Sequence, residues 1–252
     1  DFMHRLAVAA AAETLPRFRC EGEVINKHAG GFDPVTEADR AAEQAIRALI
    51  RDEYPDHGII GEEFGSEGEG RRHVWVIDPI DGTRAFISGL PLWGTLVGLI
   101  VDGKAVAGLM SQPFTGELYY ATGEGAFYEG PGGARRLKTR STAELSQATM
   151  CTTTPAMFDV PRRALYDRVE EAVRLPRYGT DCYAYAMVAA GHVDLVVECD
   201  LKPHDVAGLI PIIEQAGGVI TTWQGTAAEA GGDIVAAANA DLHERALEFL
   251  RA

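Results

Sequence analysis

The sequence predicts an α+β fold in which antiparallel strands and helices stack in layers, and three features point to it. Residues 94–101 and 104–110 are apolar runs joined by Asp102-Gly103, a pair that supplies the positive φ a tight hairpin demands. Residues 118–121 and 126–128 form a second hairpin across Thr122-Gly123-Glu124-Gly125, so the middle of the chain is an antiparallel meander. Periodic helices lie on both sides of it, which fits layered α+β architecture better than a doubly wound parallel sheet.

The elements follow in order. Thr36 precedes Ala41, Ala42, Ala45, Ile46, Leu49 and Ile50, a three-to-four-residue spacing that makes one apolar helical face, with Asp39 in the first turn after a Thr36 cap. After Pro55-Asp56-His57-Gly58, Ile59-Ile60 leads into Gly61-Glu62-Glu63, and 74–77 is a compact strand that Asp78-Pro79 ends. The meander comes next. A helix over 181–190 closes on Gly191, and a strand over 193–198 follows. A helix over 205–216 closes on Gly217-Gly218, a strand covers 219–222, and a final helix runs from near Asn239. No linker or internal repeat separates halves. The expectation is one domain over 1–252, with an N-terminal part to about residue 140 and a C-terminal part beyond it.

Composition narrows the partners. The chain has 252 residues, 46% of them hydrophobic, and 23 Lys and Arg against 37 Asp and Glu, a formal charge of −14. Phosphate-backbone affinity needs clustered lysine and arginine, so nucleic acid is excluded as a partner. By the same logic a small phosphate ester is repelled unless a cation intervenes. The apolar runs fall far short of the roughly 20 residues of a membrane span. Cys20, Cys151, Cys182 and Cys199 are scattered without zinc spacing, and the N-terminus shows no secretory leader. A reducing cytoplasm is expected.

The chemistry concentrates in Trp75-Val76-Ile77-Asp78-Pro79-Ile80-Asp81-Gly82-Thr83-Arg84. A buried strand delivers Asp78 and Asp81, Pro79 stiffens the turn between them, and Gly82-Thr83 offers backbone N–H groups to an anion. Carboxylates beside an anion site need a cation between them, and oxygen-only ligands, the Ile80 carbonyl included, select Mg²⁺ or Mn²⁺ over zinc. Glu62 and Asp205 are candidates for further carboxylates. Taken singly, each acid has a plainer explanation. Asp78 and Asp81 can cap turns, Glu62-Glu63 can be a solvated pair, Asp205 can favour a helix dipole and Asp39 can complete a capping box. Their combination is what points to chemistry. No serine-hydrolase elbow, P-loop, zincin or dinucleotide motif competes. His204, beside Asp205, is the histidine to watch and reads as a supporting group, while Tyr183 and Tyr185 read as packing.

Four blocks in order resemble the lithium-sensitive, magnesium-dependent phosphomonoesterases typified by inositol monophosphatase. They are Asp33-Pro34-Val35-Thr36-Glu37-Ala38-Asp39, Gly61-Glu62-Glu63, Trp75 to Thr83, and Asp205-Val206-Ala207-Gly208 through Glu214-Gln215-Ala216-Gly217-Gly218. The resemblance implies an α-β-α-β-α sandwich, as in fructose-1,6-bisphosphatase, and a homodimer. It implies that Glu62, Asp78, the Ile80 carbonyl, Asp81 and Asp205 hold roughly two to three Mg²⁺ ions, with Mn²⁺ as substitute. Asp39 and Thr83, with Glu62, would act on the attacking water, and the Gly82 and Thr83 amides would hold phosphate.

Within that family, inositol-type members tend to carry small residues where this chain has Asp181-Cys182-Tyr183, and tryptophan where it has His204. Residues 177–185, 201–205 and 86–93 look more like the histidinol-phosphate phosphatase branch, an enzyme of histidine biosynthesis. Asp181 and Glu198 would then accept hydrogen bonds from a cationic substrate, with Arg177 orienting them or reaching the phosphate. Glu198 also matches a substrate-contacting glutamate of inositol-type members, so it does not separate the two. An inositol-1-phosphatase or broad sugar or nucleotide phosphatase is the alternative enzyme, and a regulatory metal or anion binder the alternative outside catalysis.

Overall fold

The computed structural model describes residues 2–20, 24–26, 34–68 and 70–251. Asp33, first residue of the block ending at Asp39, lies outside them. Along the chain run α1 (Phe2–Thr14), β1 (Val24–Asn26), β2 (Pro34–Thr36), α2 (Glu37–Glu53), β3 (Gly58–Gly61), β4 (Gly65–Glu67) and β5 (His73–Asp81). Next come α3 (Thr83–Ile87), β6 (Gly94–Val101), β7 (Lys104–Gln112), β8 (Glu117–Ala121), β9 (Ala126–Gly130) and β10 (Gly133–Arg136). The second half holds β11 (Thr149–Thr152), α4 (Val160–Ala172), β12 (Leu175–Tyr178), α5 (Asp181–Ala189) and β13 (Leu195–Leu201). It ends with α6 (Pro203–Val206), α7 (Leu209–Gln215), β14 (Val219–Thr222), β15 (Gly232–Ala237) and α8 (Ala240–Leu250).

An eight-stranded sheet has the order β10-β9-β8-β7-β6-β5-β3-β4, antiparallel except where β3 runs beside β5. A five-stranded sheet has the order β12-β11-β13-β15-β14 and is mixed. Alternation along the strands sends neighbouring side chains to opposite faces. Val97 packs beneath α1 and α2 with Leu6, Ile46, Ile50 and Trp75, while Leu96 faces α5 and α7 with Tyr185, Leu209 and Ile213. In the second sheet Val196 joins that central helical layer, and Leu195 and Val197 meet α4 and α8 through Tyr166 and Leu247. The result is the expected α-β-α-β-α stack.

The hairpin turn has both residues at positive φ, Asp102 at 50° and Gly103 at 82°. Two of the boundaries that differ from expectation shape the site. The strand bearing Asp78 does not end there, because a bulge carries it to Asp81: Pro79 and Ile80 together stand opposite Thr95 in β6. Pro79 is tolerated because the bulge interrupts the ladder it cannot join, and its carbonyl accepts the Thr95 hydroxyl at 2.8 Å. The predicted helix over 205–216 is two helices, broken at Ala207-Gly208. There the chain lies flat on β6 and β7. A Cβ at Gly98 would stand 2.5 Å from the Ala207 carbonyl, and one at Gly108 2.1 Å from the Gly208 oxygen. The sequence pattern also misses α1 and α4, whose alanine-rich and charged stretches carry weak periodicity, and the short strands β11, β12 and β15. Among the described residues no helix is long and apolar enough to cross a membrane.

Because that backbone approach seats α6, Gly108→Ala is expected to destabilise the protein by about 1–3 kcal/mol through overpacking. Chemical denaturation checks it, and an unchanged midpoint would show that the contact yields freely.

Candidate active site

Helix α2 contributes from its first turn. Thr36 caps it, accepting the Ala38 N–H at 3.2 Å, and Asp39 Oδ2 takes the Thr36 N–H at 2.7 Å and its hydroxyl at 2.6 Å. The capping box anticipated for Asp39 is present, yet it occupies one oxygen. Oδ1 is buried without a hydrogen-bond partner among the described residues. Burial raises the Asp39 pKa against the pull of the Thr36 bonds, and the Glu62 charge adds to the rise.

One turn further, Glu43 and Arg47 form an ion pair at 2.7 Å with side chains 0% and 4% exposed. Glu43 also accepts the backbone N–H groups of Glu63 at 2.7 Å and Phe64 at 3.2 Å. A buried carboxylate thus grips the segment that carries Glu62, and Gly61 leaves the room: a Cβ there would stand 1.9 Å from Glu43 Oε1. Neither Glu43 nor Arg47 stands out in the sequence, since both fit a solvated helix face.

The bulge in β5 brings Asp78 and Asp81 toward the same side as Glu62 and Asp205. Carboxylate oxygens of Asp78, Asp81 and Asp205 lie within 4.8 Å of one another, and so do ligand atoms of Glu62, Asp78 and His204. Burial raises the Asp78 pKa strongly, and the charges of Glu62, Asp81 and Asp205 add to it. Asp81 is raised likewise by burial and then by Asp205 and Asp181, although its Oδ2 accepts the Cys182 N–H at 2.7 Å. Asp205 accepts the Lys202 N–H at 2.6 Å across the start of α6. Acids that repel one another in a buried place are the donor set a hard divalent cation requires, so the residues fit one. The Ile80 carbonyl accepts the Thr83 hydroxyl at 3.1 Å, and Gly82, at φ 82°, turns the chain into α3.

These residues open onto a cleft of about 290 Å³ whose lining includes Asp81, Gly82, Thr83, Asp181, Glu198 and Asp205. A larger cavity of about 510 Å³ lies along Arg17, Arg19, Glu37 and Ile87, away from the carboxylate cluster. Asp181 is no ordinary helix-capping acid: its φ is 41°, a left-handed conformation that costs a non-glycine residue about 1–3 kcal/mol. Burial lifts its pKa to about 6 against the Arg84 charge and a Thr153 hydrogen bond. Glu198, 2% exposed, is lifted by burial to about 8 although Thr153 donates to it from both its N–H, at 2.6 Å, and its hydroxyl.

One candidate stands apart from the others. Arg177 is exposed on the edge strand β12, paired in register with Cys151, and is absent from the cleft lining. Arg84, on α3, is the arginine that acts on Asp181. Its place directly after Thr83 is the signal that pointed there. Tyr183 does tie α5 to the first sheet, its hydroxyl donating to Glu117 at 2.6 Å, but Tyr185 lines the cleft with a buried hydroxyl that has no partner among the described residues.

The profile described as "Inositol monophosphatase family" matches residues 2–252. The chain belongs to the inositol monophosphatase family. An inositol monophosphatase from Zymomonas mobilis superposes with a TM-score of 0.88 at 38% identity, covering 100% of this chain and 96% of that one. The bifunctional phosphatase IMPL2, chloroplastic, of Arabidopsis thaliana is 41% identical over 97% of this chain and 72% of its own length. A histidinol-phosphatase of Mycobacterium tuberculosis is 34% identical over 100% of this chain and 98% of its own. This member of the inositol monophosphatase family is a phosphoric monoester hydrolase.

The raised Glu198 pKa has a consequence for stability. Its folded value, about 8, exceeds its ordinary 4.5, so its stabilising share is complete below about pH 4.5 and is lost as pH rises through 8. Glu198→Gln removes that loss. In metal-free thermal melts the variant is expected to gain on the parent steadily from pH 5 to pH 9, and a constant difference would mean that Glu198 titrates as an ordinary acid.

Proposed function

We propose that this hydrolase cleaves L-histidinol phosphate to L-histidinol and phosphate with Mg²⁺ as its cation, in the cytoplasm and as a homodimer, in histidine biosynthesis. The observation that carries the reading is a further pair of acids, Asp181 and Glu198, in the lining of the cleft that Asp81 and Asp205 share. Asp181 and Glu198 are both pushed upward by burial. An ammonium or imidazolium brought between them relieves that burden through charge-assisted hydrogen bonds, whereas a neutral polyol does not. The strained backbone of Asp181 supports a role for it in binding, since such conformations persist where function uses them. Similarity to the histidinol-phosphatase of M. tuberculosis agrees.

In this reading Glu62, Asp78, the Ile80 carbonyl, Asp81 and Asp205 hold the cations. Bound divalent ions neutralise phosphate and make water more acidic. Asp39, through its free Oδ1, and Thr83 orient the attacking water and take its proton, assisted by Glu62, while the Gly82 and Thr83 N–H groups hold the phosphate. No covalent enzyme intermediate is required. Similarity to the Z. mobilis protein favours inositol 1-phosphate as the competing substrate.

Comparison of kcat/KM decides between them: histidinol phosphate should exceed inositol 1-phosphate and a 3′-phosphonucleotide, with release of phosphate abolished by EDTA and by Asp81→Asn. A hundredfold preference the other way would overturn the substrate assignment. Phosphate release from no monoester would favour a binding protein.

Mutual repulsion within the cluster also predicts a reversal in stability. Removing one repelling charge by Asp78→Asn should leave the metal-free protein as stable as the parent or more so, because buried unpaired charges are costly. A large drop in melting temperature would make Asp78 a structural cap.

A further inference from the structure

His204 is the second residue of α6, between Pro203 and Asp205. Its side chain is 19% exposed, and its Nε2 stands 3.6 Å from Asp205 Oδ1, an ion-pair distance too long for a hydrogen bond. A ring nitrogen of His204 and carboxylate oxygens of Glu62 and Asp78 lie within 4.8 Å of one another. Ligand atoms about 2.1 Å from a shared cation stand at most about 4.2 Å apart, so shifts of a few tenths of an ångström close this set around one ion. The neighbouring set, Asp78, Asp81 and Asp205, is all oxygen and shares Asp78 with the first.

We propose that His204 is a metal ligand and that the cleft therefore has two unlike cation positions. The position at Glu62, Asp78 and His204 prefers borderline ions such as Co²⁺, Zn²⁺ or Mn²⁺, because imidazole is a softer donor than carboxylate. The position at Asp78, Asp81 and Asp205 suits Mg²⁺, which takes oxygen ligands and is reluctant to shed its waters for others. Asp78 belongs to both sets, so an ion held at one position would draw on a carboxylate that the other also needs. The inference rests on the reading of this cleft as a site for more than one cation and adds to it an imidazole ligand, His204, that makes the positions unlike.

Metal-free protein titrated with Co²⁺ tests it, read by visible absorption and by the paramagnetically shifted imidazole N–H resonance, with Mg²⁺ binding followed separately by calorimetry. The parent should show that resonance. His204→Phe, which keeps a ring but removes the nitrogens, should lose it and weaken Co²⁺ binding by about tenfold or more, while Mg²⁺ binding changes little. His204→Asn gives the same readout with a smaller side chain. Asp81→Asn should keep the imidazole resonance. Co²⁺ binding with unchanged affinity and spectrum in both His204 variants would overturn the inference alone. Failure of the parent to bind either Mg²⁺ or Co²⁺ would overturn the reading of the cleft beneath it.

Discussion

Four carboxylates that repel one another are held together at the floor of a cleft, one buried and three half-buried, and the rest of this molecule is arranged around that constraint. Asp78 is 2% exposed and stands among Glu62, Asp81 and Asp205, each of which makes its ionised form more costly. Left to relax, such side chains would separate into solvent. They stay because each is anchored through backbone that cannot move independently: Glu62 on a segment gripped by Glu43, Asp78 and Asp81 across a bulge, and Asp205 on a turn pressed against two strands. The unfavourable charge density is what gives a cation its affinity, so stability spent here returns on binding.

The anchors come from different layers. α2 belongs to the outer helical layer, β5 to the eight-stranded sheet, and α5 and α6 to the helical layer between the sheets. The Glu43–Arg47 pair shows how such anchoring is stabilised, since Arg47 neutralises a buried carboxylate that would otherwise be unpaired. The Cys182 N–H on Asp81 links helix α5 directly to the acids.

Net charge illustrates how one observation alters its meaning. At −14 the chain repels phosphate as a whole. Asp39, Glu62, Asp78, Asp81 and Asp205 belong to that total, and bound cations, as the largest charges in such a site, invert its local field. The acidity that repels phosphate from the chain as a whole thus becomes a requirement for metal with small phosphates.

Much of the fold and the candidate site was legible beforehand where local chemistry is decisive. Asp102-Gly103 can do little but turn, Thr36 with Asp39 builds its box from bonds within one helical turn, and alternating apolar residues name the strands. Asp78, Asp81, Gly82 and Thr83 lie so near one another in the chain that their joint purpose survives without a structure. What only the tertiary structure decided depends on groups distant in sequence: that the bulge extends β5 past Pro79, that Ala207-Gly208 breaks a helix to lie on Gly98 and Gly108, and that Arg84 rather than Arg177 faces Asp181. The same holds for Glu43 reaching Glu63 and for His204 reaching Glu62 and Asp78. Periodicity and turn chemistry report forces within a few residues, whereas steric room at a glycine and repulsion between acids on separate elements exist only once the layers are packed.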